Sequence, residues 1–76
     1  MDVHVTLHGI LRDYLPRAAK GKTTLTLLEG TTIDDLIKQF KIKQTVTAAI
    51  DGQQVESSHV LQEGDDVQMF RMIGGG

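Results

Sequence analysis

Only one segment of the 76 residues, EGTTIDDLIKQF at positions 29–40, has the apolar spacing of an amphipathic helix. Ile33, Leu36, Ile37 and Phe40 fall at i, i+3, i+4 and i+7 and form a single stripe. Gly30 turns the chain ahead of it, and Thr32 with Asp35 three positions later makes an acidic version of a capping box. Asp34 and Asp35 open the helix while Lys38 and Lys41 close it, the order favoured by a helix macrodipole. One stripe buries one surface. The remaining apolar residues must therefore form a layer that this helix alone can cover.

Those residues have the period of strands. Val3, Val5 and Leu7 alternate with His4, Thr6 and His8 up to Gly9, the pattern of a half-buried strand. Ile10 to Leu15 reads as a helical turn ending before Pro16, because proline disfavours helix in its predecessor. Residues 17–22 read as an exposed loop. Thr23 to Leu28 is rich in β-branched residues and reads as a second strand with Leu25 and Leu27 inward. After the helix, Val46, Ala48 and Ile50 alternate into Asp51-Gly52, a hairpin pair. A short partner strand is expected to begin at Val55, with Val60-Leu61 as a buried contact. Glu63-Gly64-Asp65 turns the chain into a last strand over Val67 to Ile73.

The order is strand, strand, helix, strand, short strand, strand. The economical arrangement sets the first and last strands together in mid-sheet. This is an α+β fold of the ubiquitin-like β-grasp type: a mixed four- to five-stranded sheet with one main helix on one face. Residues 1–73 make the expected domain, and residues 74–76 a flexible glycine tail.

Composition narrows the function. Hydrophobic content of 39% and charged content of 24% describe a globular chain. A formal charge of −2 and scarce aromatics (Tyr14, Phe40, Phe70) argue against nucleic-acid binding. With no cysteine, disulfides, thiolate nucleophiles and Cys-based metal sites are excluded together. No apolar run has membrane-spanning length and the start lacks a signal pattern, so the expected compartment is the cytoplasm, without membrane attachment.

Residues that suggest chemistry mostly have plainer readings. Gly21-Lys22-Thr23 resembles the end of a phosphate loop, but Pro16 stands where the first glycine is needed and a strand follows. His4 and His8 share a strand face at roughly 13 Å separation, too far for one metal, and read as ordinary exposed histidines. His59 stands alone. Glu63, Asp65 and Asp66 read as turn chemistry rather than an acid/base pair. The chain has no enzyme signature of its own.

The C-terminal stretch MFRMIGGG is different. If Val67 and Met69 face the helix, alternation sends Gln68, Phe70 and Met72 to the uncovered face. Phe70 and Met72 there make a candidate partner surface, since both residue types are enriched in interfaces. Arg71 falls on the inner side, where alternation is expected to fail. Gly74, Gly75 and Gly76 can neither pack nor hold a shape. Residues 73–76 can carry the terminal carboxylate about 13–14 Å beyond the sheet, into a partner's active site. Glycine does not obstruct a narrow channel, and the Gly76 carboxylate is the expected working group.

The LRDYLP segment, LLEGTTIDDLIKQF, and EGDDVQMF leading into IGGG together resemble the MoaD/ThiS family of ubiquitin-like sulfur carriers, over the whole chain. The resemblance implies a non-catalytic carrier. An E1-like adenylating enzyme of the MoeB/ThiF type would use ATP to adenylate Gly76. A persulfide donor would convert the adenylate to a thiocarboxylate, and a biosynthetic enzyme would accept the sulfur. No cofactor would be held stably by the carrier itself. Phe70 matches the family's aromatic ahead of the tail, a partner contact, with Arg71 and Met72 beside it. LRDYLP is similar to the molybdopterin branch, and the tail is closer to the thiamine-thiazole branch. A ubiquitin-like modifier joined through Gly76 to target lysines shares the first chemical step and remains the alternative; a binding module with a passive tail is the third reading.

Overall fold

A computed structural model describes residues 1–71 of the chain. Five strands, β1 (Asp2–Leu7), β2 (Lys22–Thr26), β3 (Val46–Ile50), β4 (Gln53–Val55) and β5 (Asp66–Arg71), form one sheet in the order β2-β1-β5-β3-β4. β1 and β5 are parallel and adjacent in mid-sheet, with Val5 opposite Val67 and Leu7 opposite Met69. All other pairings are antiparallel. One helix, α1 (Ile33–Phe40), covers one face. This is the mixed β-grasp sheet expected from the periodicities.

The core holds the expected inward rows of β1, β3, β5 and the helix, with Leu11 and Ile42 as unexpected members and Leu25, Leu27 and Val46 only half-buried. Val3, Val5, Leu7, Val67, Met69, Ala48 and Ile50 line the covered face and are buried with Ile33 and Leu36 of the helix. Ile37 and Phe40 are half-buried at its flank. Leu11, Ile42 and Leu61 close the ends of this layer from the connections. These apolar side chains leave water together, which supplies the main driving force for the fold.

Both ends of the helix are capped. Thr32 Oγ1 accepts from Asp35 N–H at 3.2 Å, and Asp35 Oδ2 accepts from Thr32 N–H at 2.9 Å, completing the capping box. The remaining first-turn N–H groups of Ile33 and Asp34 donate to the carbonyls of His59 and Ser57. No orphan donor is left at this end. At the other end Lys41 is left-handed (φ +59°), and the N–H groups of Lys41 and Ile42 donate to the carbonyls of Lys38 and Ile37. That is a Schellman ending with lysine where glycine is usual.

Several boundaries differ from expectation. β2 starts at Lys22 and ends at Thr26, so Leu27 and Leu28 lie beyond it; Leu27 is half-buried and Leu28 exposed. The loop over 17–22 instead holds a short 3-10 turn, Arg17–Ala19, and gives Lys22 to the sheet. Val55 ends β4 rather than beginning it, because Asp51 (φ +53°) and Gly52 (φ +80°) form a two-residue turn that pairs Gln53 at once with Ile50. Of Val60-Leu61 only Leu61 is buried; Val60 bridges to Thr32 and keeps its side chain exposed. The last strand is described to Arg71; Met72 and Ile73 lie outside the described residues.

Candidate functional site at the root of the C-terminal tail

Parallel pairing of β1 with β5 has a consequence for function. Both strands finish at the same end of the sheet, so the connection after Leu7 lies beside the point where Arg71 hands the chain to its tail. That connection begins with a 3-10 helix, Gly9–Tyr14, anchored by the fully buried Leu11. Gly9 has φ +60°, a conformation that L-residues with side chains rarely adopt, and turns the chain out of β1.

Phe70 points to the uncovered face, as alternation requires, and is 40% exposed. His8 stacks on it with ring centroids 4.5 Å apart and planes 5° apart. The expectation of an ordinary exposed histidine therefore fails for His8: it is half-buried, and its Nε2 also lies within hydrogen-bond distance of Gln68 Oε1. One step past the Leu7–Met69 pair, the parallel register brings residue 8 over residue 70. His4 remains exposed, with Nδ1 3.0 Å from Thr24 Oγ1.

Phe70, His8, Gly9, Ile10 and Arg71 line a mainly apolar notch of about 270 Å³. Ile10, 46% exposed, forms its far wall. Arg71 pairs with Val46 on the helix side of the sheet yet is exposed, because it lies at the end of the strand beyond the core. The inner position assigned to Arg71 is thus correct in register and carries no burial. Met69 is fully buried and anchors this stretch. Met72, Gly74, Gly75 and Gly76 lie outside the described residues.

The acidic residues near β5 serve the backbone. Glu63 Oε2 accepts from Asp2 N–H and Gly64 N–H, and Asp65 Oδ2 from Gln62 N–H. Asp66 Oδ1 accepts from Gln68 Nε2–H. Such bonds fix the turn into β5, in keeping with the reading of these acids as turn chemistry. Gly21, the residue that suggested a phosphate loop, is buried, and its carbonyl accepts from Leu7 N–H at 2.7 Å. Among the described residues no three His, Asp or Glu side chains converge as a metal site would need, and no helix is long and apolar enough to cross a membrane.

Sequence reading reached Phe70 and Arg71 but missed His8 and Ile10. Their roles arise from contacts between residues about sixty positions apart, which no local period encodes.

Comparison with known proteins agrees with this geometry. No curated protein sequence matches the chain. Among solved structures, one described as a molybdopterin converting factor subunit 1 from Pyrococcus furiosus has TM-score 0.77 at 22% identity, over 96% of this chain and 99% of its own. The crystal structure of SAMP1 from Haloferax volcanii has TM-score 0.71 at 13% identity, over 100% of both chains. A second crystal structure, of H. volcanii small archaeal modifier protein 1, has TM-score 0.74 at 10% identity, over 95% and 98%. At these identities the likeness establishes the fold. The ThiS family matches residues 5–76, which takes in the second half of β1, the strands β2 to β5, the helix and the terminal glycines. The chain belongs to the ThiS family.

Proposed function

We propose that the protein is a sulfur carrier whose working group is the Gly76 carboxylate. The observation that carries this reading is the family match running to residue 76, on a sheet whose central strand β5 leads directly to the tail. A carboxylate oxygen attacks the α-phosphorus of ATP on an E1-like enzyme, releasing pyrophosphate and leaving an acyl-adenylate. The terminal sulfur of a persulfide donor attacks the acyl carbon and expels AMP; a thiol then cleaves the acyl disulfide to a thiocarboxylate. A biosynthetic enzyme of the molybdopterin or thiazole type takes the sulfur, and the carrier returns to the carboxylate. The carrier supplies no catalytic group and no bound cofactor. Its contribution is a glycine arm that admits close backbone approach, and a docking surface at the arm's root.

In this role Phe70 is the anchor that the partner grips, with Ile10 and Arg71 beside it and Met72 next in sequence. A half-exposed aromatic bordering a concave apolar notch has the features of an interface hot spot.

The test is intact mass after co-expression with the cognate adenylating enzyme and a sulfur donor. Wild type gains the mass of one oxygen-to-sulfur exchange, and deletion of Gly76 abolishes the gain. Absence of the gain with a verified activator overturns the reading. The name of the H. volcanii neighbour, a modifier protein, favours conjugation as the second reading. Gly-Gly remnants on cellular lysines that vanish when Gly76 is deleted would select it.

A further inference from the structure

A second concavity adjoins the notch and has a different character. It is a cleft of about 550 Å³ lined by Arg12, Arg17 and Lys20 with a single carboxylate, Asp13, and it shares Gly9 with the notch. Among the described residues the one ion pair joins Lys38 to Asp34, so none of the three cleft cations is in ion-pair contact with a described carboxylate, and with Asp13 in the lining the cleft keeps an excess of positive charge.

The cleft is built rather than incidental. Leu11 is buried beneath it, and the carbonyls of Pro16 and Arg17 accept from Ala19 N–H and Lys20 N–H. Lys20 is left-handed at φ +54°, followed by Gly21 at φ +79°, whose backbone lies against β1. This pins the loop that carries the cations to the sheet.

Charge at the two ends of the sheet follows the same axis, Asp13 of the cleft excepted. Although the net charge is −2, Arg12, Arg17, Lys20, Lys22, Lys43 and Arg71 all fall where β1 and β5 end and where β2 and β3 begin. Asp2, Asp51, Glu63, Asp65 and Asp66 fall at the other end of the strands. An acidic protein thereby presents a basic face around its tail. Such a separation orients the molecule toward a negative surface before contact.

We infer that the Arg12–Arg17–Lys20 cleft receives an acidic segment of a protein partner, with an apolar residue of that segment seated in the adjoining Phe70–Ile10 notch. Charge complementarity and the shared Gly9 wall select this occupant: the notch gives apolar grip, and the cleft gives direction and register. The inference goes beyond the carrier reading and does not depend on what Gly76 carries.

The test uses the full chain, followed by amide NMR shifts, and a blocked hexapeptide of four glutamates flanking two leucines. The glutamine counterpart of this peptide and pyrophosphate are the comparison probes. The acidic peptide is expected to move the amides of Gly9, Arg12, Arg17, Lys20 and Gly21 saturably, and the glutamine peptide to bind at least tenfold more weakly. The triple variant Arg12→Gln, Arg17→Gln, Lys20→Gln replaces exposed side chains and should keep the wild-type spectrum elsewhere. It should lose the acidic peptide at least tenfold and lose most of the salt dependence of binding. Unmoved cleft amides, equal binding by the triple variant, or equal binding of the glutamine peptide would overturn the inference. Tighter binding of pyrophosphate on the same amides would overturn it in favour of a small-anion site.

Discussion

Replacing Gly21 by alanine tests whether the loop framing the cleft is held by backbone contact. Gly21 (φ +79°) and Gly64 (φ +81°) have nearly the same conformation, so alanine incurs the same backbone cost at each, about 1–2 kcal/mol. Their surroundings differ. A Cβ on Gly64 meets nothing within 4 Å, whereas on Gly21 it would lie 2.6 Å from the Leu7 carbonyl oxygen and 2.8 Å from Arg12 Cγ. Arg12 can move aside; the Leu7 carbonyl cannot without shifting a strand whose side chain is buried. That shift weakens the 2.7 Å bond from Leu7 N–H to the Gly21 carbonyl, worth about 0.5–1.5 kcal/mol. It also strains a filled core, a further ~1–3 kcal/mol by analogy with overpacking. Gly21→Ala should therefore cost roughly 2.5–6.5 kcal/mol against about 1–2 for Gly64→Ala. For a domain of this size each kcal/mol lowers Tm by about 4–8 °C, so with the backbone cost common to both the two variants should melt at least about 6 °C apart. Urea denaturation of both, with unchanged m-values, gives the comparison. Equal losses would refute the claim that close approach to β1, rather than backbone conformation, makes residue 21 a glycine.

Phe70→Ala should cost about 0.5–1.5 kcal/mol of stability for the lost stacking on top of the ring's partial burial, and weaken partner binding more than tenfold; thermal melts and a binding titration with the adenylating enzyme check both. Leu36→Ala empties a fully buried site under the sheet and should cost about 2–5 kcal/mol in chemical denaturation. Lys41→Gly removes a left-handed side chain at the helix end and should stabilise by about 0.5–1 kcal/mol, with a loss instead counting against the Schellman geometry. The hydrogen bond from Thr32 N–H, then that with the Thr32 hydroxyl, holds the Asp35 carboxyl below its ordinary value of 3.8. A depressed folded value means that this stabilisation is complete above the unfolded value and lost as pH falls through the folded one. The stability gap between wild type and Asp35→Asn should accordingly be constant near neutral pH and close as pH drops below 3.8.

Some of this protein was determined locally by its sequence. The i, i+3, i+4, i+7 stripe, the Thr32–Asp35 box, the Asp51-Gly52 turn and the alternating strands each follow from neighbours within a few residues. Burial then left one economical way to layer one helix on one sheet, which is why β-grasp topology was legible. The outward direction of Phe70 and the anchoring of Met69 came from the same period of two. Boundaries slipped where tertiary pairing overrode propensity, as where the tight turn drew Gln53 into β4.

Only the tertiary structure decided what stands beside what. His8 meets Phe70, and the Arg12–Arg17–Lys20 cleft shares Gly9 with the notch that Arg71 lines, because β1 and β5 run parallel side by side. A parallel pair places the ends of both strands together, so residues some sixty positions apart share one surface. Periodicity tells which side of the sheet a side chain takes; strand direction tells which end. The character of the tail's root, apolar notch against basic cleft, depends on the second.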